Sequence, residues 1–220
     1  MSKLLNIVTP LHQKTKRTYI DRMVDNKVEA MLKAKEYGFD YWDGDRRYGY
    51  GGYKYDGRQK VIAEALIKEY KLQPDAKILD VGCGKGFLLY ELQKLLPEAE
   101  VCGYDISEYG LNHTLKMKKD SLILHPASSK YHYPKNYFDL VTSLGCLHNL
   151  KLRNLEEALS EIERVGQRKY VMVESYRNEQ EQFNLQCWAL TAETLLDSES
   201  WVYLFNLFNY TGDYEFIYFE

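Results

Sequence analysis

From residue 61 onward the apolar positions alternate between two spacings. Short continuous runs, Ile78-Leu79 with Val81, Val101-Cys102, Leu122-Ile123-Leu124, Leu140-Val141 and Tyr170-Val171-Met172-Val173, have the length and content of buried strands. Between them the spacing turns helical: Val61, Ile62, Ala65, Leu66 and Tyr70 precede the first run, Phe87, Leu88, Leu89, Leu92, Leu95 and Leu96 follow it, and Leu155, Leu159, Ile162 and Val165 precede the fifth. Asp56 and Gln59 form a capping-box pattern for the first of these helices, Ser107 to Lys118 can form another, and Ser198 can cap a last one carrying Trp201, Leu204, Phe205 and Phe208. A short sixth strand is predicted around Cys187 to Leu190, and the alternation over Tyr214–Phe219 predicts a seventh. The expected fold is therefore α/β, a doubly wound, mostly parallel seven-stranded sheet with helices on both faces. Nearer the N-terminus, Ile20, Met23, Val24, Val28, Met31 and Leu32 lie three and four apart, which predicts one amphipathic helix ending near Gly38 and laid across the mouth of the site.

The turn after the first strand carries the clearest chemistry. Gly82, Gly84 and Gly86 remove three side chains between a buried strand and a helix N-terminus, where backbone amides carry partial positive charge. That arrangement cradles a nucleotide. A dinucleotide fingerprint, G-x-G-x-x-G, would need glycine at Phe87, and the spacing here is G-x-G-x-G instead. Asp105, nineteen positions after Gly86 at the end of the next strand, is placed to accept hydrogen bonds from ribose hydroxyls.

Ile78–Gly86, Val101–Ser107 and Phe138–Ser143, in this order and with strand-helix spacing, resemble the successive motifs of class I S-adenosylmethionine-dependent methyltransferases. The resemblance covers roughly residues 57 to 220 and implies S-adenosyl-L-methionine as cofactor, S-adenosyl-L-homocysteine as product and an antiparallel last strand. It also implies site residues. Arg58 would hold the methionine carboxylate, with Arg46 or Arg47 as alternatives. Gly82, Cys83 and Gly84 would meet the methionyl part, Asp105 the ribose, Ala127 and Ser128 the adenine, Leu144 would wall the pocket, and Asp80 and Ile106 would also contact the cofactor. His148, in the loop after the fourth strand, is the candidate general base, because an imidazole can take a hydroxyl or ammonium proton. Glu174, also a candidate catalytic group, and Tyr176, after the fifth strand, would face the acceptor.

Phe39–Arg58 holds five tyrosines, one tryptophan and five glycines in twenty residues, a pattern that is neither a helix stripe nor a buried strand. It reads as a lid. Trp42, Tyr48, Tyr50 and Tyr53 offer faces that attract cations, Arg46 and Arg47 offer forked donors for anions, and Asp45 suits an amine. These residues are the candidate acceptor contacts, with Tyr50 a candidate catalytic group. The chain then divides into an N-terminal helix and lid, residues 1–56, and a Rossmann-like domain, residues 57–220.

Composition narrows the partners. A net charge of -3 over 220 residues gives no bulk attraction to nucleic acid or to anionic membranes. Cys83, Cys102, Cys146 and Cys187 are widely spaced and form no C-x-x-C pair, so they read as reduced thiols, and no metal site is expected. With no signal-peptide pattern the expected location is cytoplasmic. The activity expected is methyl transfer to an oxygen or nitrogen of a small polar metabolite, sugar-linked or carboxylated; oligomeric state is not readable. Two alternatives are an NAD-dependent oxidoreductase and a non-catalytic S-adenosylmethionine-binding protein.

Overall fold

In the computed structural model, which describes residues 2–51, 53–117 and 121–220, the apolar runs become six strands. These are β1 (Lys77–Val81), β2 (Glu100–Asp105), β3 (Leu122–Leu124), β4 (Phe138–Leu144), β5 (Gly166–Glu174) and β6 (Asp213–Ile217). They form one sheet in the order β3-β2-β1-β4-β5-β6, and every neighbouring pair is parallel. Ahead of the sheet come the short helices α1 (Thr9–His12), α2 (Tyr19–Val24), α3 (Lys27–Ala34) and α4 (Phe39–Trp42). Within and after it lie α5 (Gln59–Tyr70), α6 (Phe87–Leu95), α7 (Glu108–Asn112), α8 (Leu152–Val165), α9 (Glu179–Trp188) and α10 (Ser198–Leu207).

The sheet thus has six parallel strands where seven with an antiparallel last one were expected. The apolar run Cys187–Leu190 is no strand: its first half ends α9, whose N-terminus is capped by the Asn178 side chain accepting from Glu181 N at 3.0 Å. Leu185, Cys187 and Trp188 are the buried side of that helix. With two helices and no strand between β5 and β6, the chain crosses over and returns in the same direction. The last helix is capped by Asp197, not Ser198. The helix expected from Ser107 is shorter, ending at Asn112, and Lys118 lies outside the described residues.

The N-terminal stripe also resolves differently. One predicted helix is two, α2 and α3, broken at Asn26 in the left-handed conformation (φ 43°). Val24, Val28 and Leu32 are more than 65% exposed, and the buried side consists of Ala30 and Ala34, packed with Leu190. Small residues let α3 approach closely, while α2 packs on α9. The apolar stripe is therefore not the side by which α3 packs.

Alternate strand residues feed two cores. On one face Ile78, Val101, Leu140 and Tyr170 meet α5, α6 and α9, and on the other Leu79, Cys102, Val141 and Val171 meet α8 and α10. The N-terminus seals the sheet edge: Leu5 N donates to Tyr214 O at 2.8 Å, and the amides of Ile7, Val8 and Thr9 converge on the buried carboxylate of Glu215 at 2.6 to 2.9 Å. Among the described residues no helix is long and apolar enough to cross a membrane.

Candidate active site

The strand order reverses between β1 and β4, and the site opens at their carboxyl ends, where neighbouring connections leave to opposite faces. The glycines act there by close approach. Gly82 (φ 82°) has no room for a side chain, because a Cβ would lie 2.3 Å from that of Cys146, and at Gly84 (φ 56°) it would lie 2.6 Å from the Trp42 ring. Asp105 clamps this turn: its carboxylate accepts Gly84 N and Ser107 N, both at 2.7 Å. Burial raises its pKa, and the surrounding amides counter that in part.

Two cavities meet at Gly82 and Gly145, divided by Tyr41 and Trp42. The first, about 270 Å³, is bordered by Tyr104, Asp105, Ile106, His125, Ala127 and Cys146. The second, about 310 Å³, is bordered by Tyr50, Tyr53, Gln59, Asp80, Leu144, His148 and Glu174, and by the turn Gly82–Lys85. Trp42 is held between them by its indole N–H, which reaches Ser107 Oγ at 2.7 Å and Tyr37 O at 3.0 Å.

The second cavity contains the titratable chemistry. Nδ1 of His148 accepts the amide of Glu174 at 3.3 Å, which assigns the ring proton to Nε2, 3.5 Å from Glu174 Oε2. Burial lowers the His148 pKa against the pull of Glu174, so the ring is neutral and keeps no open lone pair. Glu174 Oε2 and Gln59 Oε1 are buried without hydrogen-bond partners among the described residues. Burial pushes Asp80 up to about 7, although Thr142 Oγ1 donates to it at 2.9 Å. Tyr50 is pushed up to about 12, chiefly by burial; its oxygen accepts the amides of Leu190 at 2.6 Å and Thr191 at 3.1 Å.

Of the residues singled out in the sequence, Asp80, Gly82, Cys83, Gly84, Asp105, Ile106, Ala127, Leu144, His148 and Glu174 border these cavities, as do Trp42, Tyr50 and Tyr53 from the N-terminal segment. Others lie elsewhere. Arg58 is half-exposed, pairs with Asp56 through Nε at 2.7 Å, and borders neither cavity; its neighbour Gln59 does. Asp45, Arg46 and Arg47 border a separate depression around Trp188. Tyr48 donates to Glu29 at 3.1 Å, Ser128 borders neither cavity, and Tyr176 lies beyond β5 with its hydroxyl accepting from Gln182 at 3.3 Å. Gly52, within the aromatic stretch, lies outside the described residues. Sequence reading missed a latch: Lys85, 7% exposed, holds Asp43 at 2.7 Å, and Tyr109 donates to the same carboxylate at 2.9 Å. The only signal for it was a lysine inside a glycine turn.

Residues 78–169, from β1 into β5, match the family described as a methyltransferase domain. A malonyl-[acyl-carrier protein] O-methyltransferase of Hahella chejuensis is 41% identical over 61 residues, 26% of this chain and 22% of that one. The chain therefore spans about a fifth of the length of that curated relative. Among solved structures, the plantazolicin methyltransferase BpumL with a desmethyl analogue and S-adenosylhomocysteine superposes with a TM-score of 0.56 at 17% identity, over 83% of this chain and 77% of that one. A putative methyltransferase complexed with the Trm112 methyltransferase activator of Haloferax volcanii gives 0.53 at 17% identity, over 70% and 72%. An S-adenosylmethionine-dependent methyltransferase of Archaeoglobus fulgidus gives 0.52 at 20% identity, over 68% of each. These structures share the fold, and the matched methyltransferase-domain family covers the glycine turn and Asp105.

Proposed function

We propose that the protein transfers the sulfonium methyl of S-adenosylmethionine to an oxygen or nitrogen of a small polar metabolite. The supporting observation is the paired cavity itself: the first offers Asp105 for ribose hydroxyls and an apolar wall at Ile106 and Ala127 for adenine, and the second is lined by acceptors. Asp80, Gln59 Oε1 and Glu174 Oε2 give that side a lone-pair-rich lining, which fits the ammonium and sulfonium of the methionyl end. When bound, the cofactor supplies an activated methyl carbon. The residues' task is to hold the nucleophile in line with it and to keep water out, and positioning of this kind accounts for roughly 7 kcal/mol of barrier in favourable cases.

Glu174, not His148, is the group that would take the acceptor's proton. The histidine spends Nδ1 on a backbone amide and its protonated Nε2 lies 3.5 Å from the carboxylate, so it has no free lone pair with which to take a proton. Tyr50 is likewise occupied by two amides and Thr191. Among the described residues no arginine borders either cavity, which favours a sugar-linked acceptor over one held there by a free carboxylate.

Titration calorimetry with S-adenosylhomocysteine tests the cofactor reading, and absence of heat from ligand-stripped protein overturns it. With an acceptor in hand, Glu174→Gln is expected to lower kcat roughly 100-fold or more, and His148→Gln to lower it less. Equal losses in both, with unchanged pH profiles, would remove the base from Glu174. Tight cofactor binding without methyl loss to any acceptor would identify a binding-only relative.

A further inference from the structure

We propose that the depression over Trp188, ringed by Arg17, Arg22 and Arg46, is a phosphate-binding subsite. It encloses about 420 Å³ and is separate from both cofactor cavities. The three guanidinium carbons stand 5.3, 4.2 and 5.9 Å from the centre of the same indole ring. Among the described residues none of the three pairs with a carboxylate. Arg17 spends its terminal nitrogens on the carbonyls of His12 and Thr15 and on His12 Nδ1, and Arg22 spends its own on the carbonyls of Trp188, Arg46 and Gly49. The Arg46 guanidinium has no hydrogen bond there, and the buried Nε atoms of Arg17 and Arg47 have no partner. Three like charges converging on one ring, in a chain whose net charge is -3, require an opposing charge to offset their repulsion.

The carboxylates bordering the depression do not supply it. Asp25 is exposed and pairs with Arg47 at 3.0 Å, Asp45 is exposed and accepts Arg47 N at 2.9 Å, and Asp21 is exposed at the rim. Arg17 and Arg22 both sit below the ordinary arginine pKa, first because they are buried, and Arg46 adds to this against the opposing pull of Tyr19 and Glu174 on Arg17 and of Tyr50 on Arg22. The geometry favours phosphate over carboxylate. The free donors, the Arg46 guanidinium and the Nε atoms of Arg17 and Arg47, come from two separate segments, the chain before α2 and the turn at Arg46–Tyr48, and not from one planar fork. A tetrahedral group with three free oxygens can answer donors in several planes, whereas a carboxylate is saturated by one coplanar fork.

The subsite is one aromatic layer from the acceptor cavity. Trp188 lies against Tyr50, with ring centres 6.0 Å apart, and Arg22 also covers Tyr50 at 5.4 Å. On the methyltransferase reading, to which this addition is tied only in naming the ligand, the phosphate belongs to the acceptor and anchors it beside Tyr50.

Calorimetry on the full chain at low salt, with inorganic phosphate, glycerol 3-phosphate and succinate, tests the subsite. Both phosphate compounds are expected to bind, and Arg46→Ala, at an exposed position, to weaken them at least tenfold while S-adenosylhomocysteine affinity stays within twofold. Arg17→Lys, which keeps the charge and loses the unpartnered Nε donor, is expected to weaken them as well. Tighter binding of glycerol 3-phosphate than of phosphate supports an organic ligand reaching toward Tyr50, and equal binding supports free phosphate as the occupant. No heat with either phosphate compound, no effect of Arg46→Ala, or succinate binding as tightly as phosphate would overturn the proposal. Because cofactor affinity is read in the same samples, loss of the subsite and loss of the methyltransferase reading are distinguished.

Discussion

Asp80 is the residue on which fold and ligand make opposite demands. Burial at the end of β1 pushes its pKa up to about 7, whereas a cationic ligand in the second cavity favours its ionised form. In the ligand-free protein the folded state therefore binds this proton more tightly than the unfolded chain does. Its contribution to stability is complete below the unfolded value near 4 and is lost as pH rises to about 7. Asp80→Asn is expected to raise Tm over wild type at pH 8, with the gap closing toward pH 4.5, in paired thermal melts. The same substitution should flatten the pH dependence of cofactor affinity, which in wild type is expected to rise through pH 7; an unchanged slope in calorimetry would remove Asp80 from the site. His12 acts in the other direction. Burial, then Arg17, holds it at about 4, so its contribution is intact above 6.5 and is lost as pH falls toward 4. Asp80 is visible in the motif, but its proton is not, since that depends on burial by layers far along the chain. Likewise His148 and Glu174 are each legible, yet only packing shows that the histidine's nitrogens are already used.

At the scale of elements, spacing located the helices and strands well and misjudged what covers them. The stripe of Ile20, Val24, Val28 and Leu32 has helical period, but the partner helix α9 meets the other side of α2, and Ala30 and Ala34 set the contact of α3. Apolarity alone gave the wrong face because the small residues carry the packing. Val24→Asp and Val28→Asp are expected to change unfolding free energy by less than about 0.5 kcal/mol, whereas Ala34→Leu, fully buried, should cost roughly 1 to 3 kcal/mol. Urea titrations of the three variants check this, and a large loss at Val28 would restore the original face. The run ending α9 misled for a related reason: buried helix and buried strand look alike over four residues. The aromatic segment is tied down by Asp43 on Lys85 and Tyr109. Lys85→Met is expected to release it, read as faster amide exchange over residues 39–51 with β4 unchanged.

For the molecule as a whole, the N-terminal segment belongs to the same core as the sheet, although it forms only short helices and one bridge to β6. Lys3–Leu5 runs beside β6, so the last strand of a parallel sheet is not left as an open edge. The chain then turns on Glu215, whose carboxylate, 1% exposed, accepts Ile7 N, Val8 N, Thr9 N and Thr9 Oγ1, with Tyr170 OH donating from β5. No local pattern marks this glutamate, which in sequence is one polar position of an alternating strand more than two hundred residues from its N-terminal partners. Removing it strands several buried donors at once, each worth about 1 to 3 kcal/mol if left without a partner. Some of those amides can regain water if the arm peels away, so Glu215→Ala is expected to cost on the order of 3 kcal/mol and to release the arm, not to unfold the sheet. Limited proteolysis should then cut within residues 11–18, and exchange at Ile7–Thr9 should accelerate while β1 and β4 stay protected. The arm leads through Arg17 into α2, so its release should also weaken phosphate binding over Trp188 more than cofactor binding at Asp105. Uniform loss of protection across the sheet would instead mean that Glu215 supports the core directly, and that the arm is a consequence of the fold and not its seal.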